Sequence, residues 1–195
     1  DAAVAARFLL GLSGARAGIV GGGGGYSVLA SDEVGSHGLQ MPALPGDIQQ
    51  KLHDFTPTAG TSVRNPVDTS VGWGPDGLKP MLDTIRIVAE APNIDYILYH
   101  TGWGWGPSRG GGPDLVEMAK NTAEALGELA AEAGKPIVCV ARTPTSESWM
   151  AATLAFQEIV AGRGLATFSS VAAASLALQR VLSWQSVRES FVPAK

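Results

Sequence analysis

Little in this sequence could build a disulfide, a charged face or a membrane span. Cys139 is the one cysteine in 195 residues, so no internal disulfide can form, and a reducing, cytoplasmic setting is the expectation. Charged residues make up only 16% of the chain, with a formal net charge of −4. No basic run interleaves with aromatics, which argues against a nucleic-acid surface. No apolar run is long enough to cross a bilayer. A Gly-x-Ser-x-Gly elbow is missing, and no His, Cys, Asp or Glu spacing matches a metal site.

What remains is 45% hydrophobic, a composition of well-buried, ordered elements rather than disorder. The length suits one domain. The chain opens on Asp1 and reads as helix at once, as expected for a piece of a longer or processed protein, or for an arbitrary boundary.

Apolar runs alternate with helical patterns. Strands are expected at Arg16 to Val20, Leu39 to Leu44, Ile94 to Tyr99, Pro136 to Val140 and Leu165 to Phe168. Helices fill the intervals: Ala2 to Leu12, Tyr26 to Ser36 closed by Gly38, Asp47 to Phe55, Pro75 to Ala91, Asp114 to Gly134, a helix capped by Thr143 or Thr145, and a last one capped by Ser169 or Ser170. Strands separated by helices pair in parallel. The pattern predicts an α/β fold, a three-layer, doubly wound parallel sheet of five strands in the flavodoxin-like order 2-1-3-4-5, with a Rossmann-like order as the alternative.

Ligands in such sheets bind at the carboxyl ends of the strands. Five consecutive glycines, Gly21 to Gly25, follow the first strand and precede a helix. Gly22, Gly23, Gly24, Gly25, Tyr26 and Ser27 would present backbone N–H groups at a positive helix end, a geometry that suits phosphate. The competing reading is a tight turn for close helix–sheet packing. Neither a dinucleotide loop nor a Walker loop matches, since Tyr26 replaces the third glycine of the first and no lysine follows for the second. Asp68 could orient backbone near the glycine loop or hold a bound group, with Asn65 beside it as a possible ligand or interface residue; the competing reading is a turn in which both bond their own backbone. The long loop from His100 to Gly112 places Trp103, Trp105 and Arg109 near the same edge, with Trp73 close by. These residues suit either an apolar or aromatic ligand with a negative group, or another domain. His100 ends a central strand, where catalysis is often found, but no Ser or Cys partner is legible. His37 and His53 read as surface residues, and Cys139 as core.

The run Gly18-Ile19-Val20 through the glycines to Val28-Leu29-Ala30-Ser31-Asp32 resembles the Gly-rich turn and "VLAAD" helix of ADP-forming acyl-CoA synthetases. Asn65-Pro66-Val67-Asp68 is similar to that family's "NPVD". Asn93 to Leu98 falls where the family has its "VDAVL" strand, and Lys135-Pro136-Ile137-Val138 matches its "KPV". The resemblance spans Gly18 to Trp184, and points to the second succinyl-CoA-ligase-like flavodoxin domain of these NDP-forming enzymes. It implies that a helix start at Gly23 to Ser27 faces a phosphate carried on histidine, in a reaction linking acid, CoA and a nucleoside triphosphate to acyl-CoA. It also implies CoA, ATP or ADP, and Mg in the whole enzyme, with none bound by this domain alone. CoA-binding and ATP-grasp modules would be partners, in the same chain or in other subunits, with self-association a further option.

The family's phosphohistidine lies in a Ser-His-Thr-Gly setting. Ser36-His37-Gly38 lacks the threonine and His100-Thr101-Gly102 lacks the serine, so neither histidine receives that role and no catalytic residue is assigned. The isolated domain is expected not to turn over. The five glycines and the Trp-rich loop are unusual for the family and leave the acyl substrate open, a bulky or aromatic acid included. A stand-alone module for a small anionic or aromatic ligand, or a docking domain, is the alternative.

Overall fold

The computed structural model describes residues 1–56, 60–68, 78–101, 114–144 and 146–191. The elements are α1 (Ala2–Phe8), β1 (Ala17–Gly21), α2 (Gly24–Ser36), α3 (Gly46–His53), α4 (Lys79–Glu90), β2 (Tyr96–Thr101), α5 (Leu115–Glu132), β3 (Ile137–Ala141), α6 (Glu147–Gly162), β4 (Ala166–Phe168) and α7 (Val171–Ser190). The strands form one sheet in the order β1-β2-β3-β4, every pair parallel. Every residue of β2 and β3 is buried, as expected when helices cover both faces of a parallel sheet.

Alternation along the strands divides the core in two. Ile97, Tyr99, Ile137 and Cys139 pack with Ile48, Ile85, Leu126 and Phe156, from α3, α4, α5 and α6. Tyr96, Leu98, Val138 and Val140 pack with Ala5, Val34 and Leu178, from α1, α2 and α7. The three layers are thus present. Local signals agree with the helix ends. Gly38 takes φ 70° after α2, and the Leu39 N–H returns to the Val34 carbonyl at 3.2 Å, closing the helix as a left-handed glycine does. Asp114 caps α5 through the Val116 N–H.

Two expectations need correction. The Leu39 to Leu44 strand does not form, so among the described residues the sheet has four strands, β1-β2-β3-β4, and not five in the order 2-1-3-4-5. Pro42 has no N–H to give to a ladder, and the run's pairing with the sheet is a parallel bridge between Arg16 and Gln40 rather than a strand. The cap of α6 is Ser146, whose Oγ accepts from the Trp149 N–H, rather than Thr143; Thr145 lies outside the described residues. The Pro75 and Asp76 opening of α4 also lies outside them.

The open edge of β1 is closed instead by borrowed groups. Ala17, Ile19 and Gly21 point their backbone groups away from β2. The Ala17 N–H donates to the Gln40 carbonyl at 2.7 Å. The Asn65 carboxamide then stands in for a strand residue: Oδ1 accepts from the Ile19 N–H at 3.0 Å, and Nδ2 donates to the Ala17 carbonyl at 2.9 Å. Nδ2 also reaches the Pro42 carbonyl at 2.9 Å. Val67 completes the ladder, donating to Ile19 O at 2.8 Å and accepting from Gly21 N–H at 3.2 Å. An edge that would invite another strand is thereby satisfied up to the glycine loop.

Candidate functional site

β1, β2 and β3 end side by side, with Gly21 opposite His100 and Thr101 opposite Ala141. The glycine run starts at the first of these ends, and its five members do different things. A Cβ on Gly21 would stand 2.2 Å from Cε1 and Nε2 of His100, so only glycine lets that imidazole lie against β1. Gly23 has φ 100°, a backbone that other residues rarely adopt. Gly22 and Gly25 have open space where a Cβ would go, and Gly24 would meet only Asp68 Oδ2, at an ordinary 3.6 Å. Packing therefore accounts for two glycines and leaves three without a structural reason.

Those three also expose their amides. The Tyr26 and Ser27 N–H groups return to the Gly23 carbonyl at 2.9 and 3.0 Å, and the Gly23 N–H goes to Asp68 Oδ1 at 3.3 Å. Gly22, Gly24 and Gly25 are exposed, and their N–H groups find no acceptor among the described residues. The start of α2 thus combines free donors with the positive end of the helix dipole.

Tyr26, in the first turn of α2, lies across the strand ends. Its ring centroid is 4.6 Å from that of His100, tilted by 53°. The Arg142 guanidinium carbon is 4.7 Å from the same ring centroid. Burial pushes the phenol up, against the opposing pulls of the Arg142 charge and of the Val171 backbone at the start of α7. Arg142 follows β3 directly; its backbone N–H and its Nε both donate to the Thr101 carbonyl at 3.4 Å.

His100 is buried, at 2% exposure, and its Nε2 has no partner. Burial, with a smaller push from Arg142, lowers it to about 4, so the ring is neutral at physiological pH. Ser27 Oγ is likewise buried without a partner. Cys139 sits mid-strand in the core, where burial pushes the thiol up to about 12; it is packing, not a nucleophile.

The structure therefore brings Gly22 to Ser27, Asp68 and His100 to one edge. Asp68 is held there by paired backbone bonds with Ser62. The Asn65 carboxamide bonds the edge of β1 and the Pro42 carbonyl rather than its own turn. Trp73, Trp103, Trp105 and Arg109 lie outside the described residues. Sequence reasoning missed Arg142 as a member of the group; its position one residue past a buried strand was the available signal. Among the described residues no group of three or more His, Cys, Asp or Glu side chains could hold a metal ion, and no helix is long and apolar enough to cross a membrane.

Comparison with known proteins adds a family. The model of the Ligase-CoA domain family matches residues 17–183. No curated protein matches the chain. Among solved structures, PH0766 from Pyrococcus horikoshii OT3 is similar, with a TM-score of 0.68 and 22% identity over 92% of this chain and 37% of that one. The apo form of the dinucleotide forming acetyl-coenzyme A synthetase 1 of Ca. Korarchaeum cryptofilum gives a TM-score of 0.64 at 20% identity, covering 93% of this chain and 36% of that one. The same enzyme in complex with phosphate and ADP gives 0.60 at 20% identity, with the same coverage. At these identities the likeness is one of fold, and the chain spans little more than a third of the proteins it matches.

Proposed function

The chain belongs to the Ligase-CoA domain family, and from that premise we propose that it is one domain of an NDP-forming acid–CoA ligase whose α2 N-terminus holds a phosphoryl group. The observation that carries this reading is the trio of exposed glycine amides, Gly22, Gly24 and Gly25, with no acceptor among the described residues and no packing reason to be glycine. Backbone N–H groups at a helix start bind phosphate without a charged side chain. Chemistry would come from a histidine elsewhere in the enzyme, since His100 is buried and neutral. CoA, nucleotide and magnesium are left to the other modules.

The same edge offers an interface. Val28 and Leu29 follow the start of α2, and both are exposed. Apolar side chains around an anion site suit a second domain that closes over it and excludes water.

An amide NMR titration with inorganic phosphate tests the site. Saturable shifts concentrated at Gly22 to Ser27 are expected, and a titration that leaves these amides unmoved would refute it. The isolated chain, given acid, CoA and nucleoside triphosphate, should form no acyl-CoA; robust turnover would overturn its place as one part of a ligase.

A further inference from the structure

Arg142 is placed where its charge is hard to explain within the domain. Tyr26 is the third residue of α2, so a guanidinium over its ring stands beside the first turn, at the positive end of the helix. A cation there is unfavourable by itself. Among the described residues Arg142 forms no ion pair. Asp68 accepts the Gly23 N–H, and the amides of Gly24 and Gly25 beside it stay exposed. Arg142 is nevertheless anchored, by the Thr101 carbonyl beneath it and by the face of Tyr26. A cation fixed on an aromatic face stays partly desolvated, and the ring contact leaves its guanidinium N–H donors unused.

A second observation comes from below the loop. His100 is 2% exposed, its Nε2 has no partner, and the Nε2–Cε1 edge is the part of the ring that meets Gly21. A buried polar atom without a partner calls for an explanation, and this one lies under the first glycine of the run. Free amides, an unpaired guanidinium and an unpartnered imidazole edge thus converge on one place.

We infer that Arg142 is the cation of this anion site, that Tyr26 is its positioning residue, and that the ligand is a phosphoryl dianion held between the guanidinium and the α2 amides. The inference rests on the phosphate reading above. Arg suits this task because its planar fork meets two phosphate oxygens at once, which lysine cannot do.

The test repeats the inorganic phosphate titration on variants, with the amide spectrum reporting that each is folded. Arg142→Met should raise the phosphate Kd about tenfold or more, the size expected for a lost charge-assisted pair. Arg142→Lys should fall between. Tyr26→Leu should weaken binding as Arg142→Met does, and the double variant should lose no more than either single change, since both remove one interaction. Tyr26→Phe keeps the ring face and should restore near-native affinity, an outcome that a tyrosine acting through its hydroxyl would not give. If wild-type amides respond to phosphate and Arg142→Met titrates identically, Arg142 is overturned while the site stands. If the Tyr26→Leu loss persists undiminished in an Arg142→Met background, the positioning role is overturned. If the wild type shows no response, the site and the inference fall together.

Discussion

Gly21→Ala should destabilise the domain through one identifiable contact. The added Cβ would stand 2.2 Å from Cε1 and Nε2 of His100 and 2.4 Å from Nδ1. Comfortable carbon contacts need about 3.5 Å or more, so the shortfall is about 1.3 Å. Neither side can yield cheaply. Gly21 is fixed by pairing with His100 on one side and by its bond to Val67 on the other. The imidazole is buried and has no solvent to swing into. Overpacking of this kind costs about 1–3 kcal/mol, offset by up to about 1 kcal/mol because alanine loses less backbone entropy than glycine. A net cost of about 1–2 kcal/mol corresponds to a Tm lower by about 2–8 °C for a domain of this size. Urea melts of Gly21→Ala, His100→Ala and the double variant isolate the contact. In the His100→Ala background the Cβ meets no ring, so Gly21→Ala should cost nothing or stabilise slightly. An equal cost in both backgrounds would refute the reasoning, and would place the demand for glycine in the backbone rather than in His100.

Two further outcomes follow from the same edge. His100 has a folded pKa of about 4 against about 6.5 unfolded. Between these values the unfolded chain binds the extra proton, so stability is full above about pH 6.5 and falls as pH drops toward 4, by up to about 3 kcal/mol. A His100→Gln variant should lose this part of the acid sensitivity in urea melts at stepped pH; parallel stability curves for the two proteins would count against a buried neutral imidazole. Asn65→Ala strips partners from the Ile19 N–H and from the Ala17 and Pro42 carbonyls, which should cost about 1–3 kcal/mol and speed amide exchange at Ile19. Unchanged protection at Ile19 would show that the carboxamide does not close the β1 edge.

Patterns that act locally were legible in the sequence. The buried runs of β2 and β3 are continuous because helices cover both faces, and Gly38 and Asp114 mark helix ends by backbone and capping needs that any neighbour would leave unchanged. The second strand was misread for a tertiary reason. Leu39 to Leu44 carries strand-like apolar residues, yet Pro42 cannot donate, and the ladder it would have supplied is provided from 46 and 48 residues away by Asn65. No propensity reports a side chain acting as a strand. Asp68 was legible as a residue that orients backbone near the glycine loop, and it meets the Gly23 amide; that Asn65 finishes the sheet was not legible. Arg142 escaped for a similar reason. Its meaning depends on Tyr26, which lies more than a hundred residues earlier and comes under it only once β1 and β3 take their places around β2.

The glycine run looked uniform in sequence and is not uniform in structure, and that difference bears on what it is for. A turn built only for packing would need Gly21, to admit His100, and Gly23, to take φ 100°. Gly24 and Gly25 lie in the first turn of α2, where alanine would fit the space available and favour the helix by up to about 1 kcal/mol at each position. Gly22 is equally unconstrained. Nothing among the described residues uses the missing side chains, while the amides they would shield stay exposed and without acceptors. A helix start stripped in this way is less stable than it need be and more open than the domain itself requires. The surplus makes sense if what it accommodates comes from outside the domain, and a phosphoryl group approaching the backbone closely is the ligand to which a Cβ would be the obstacle.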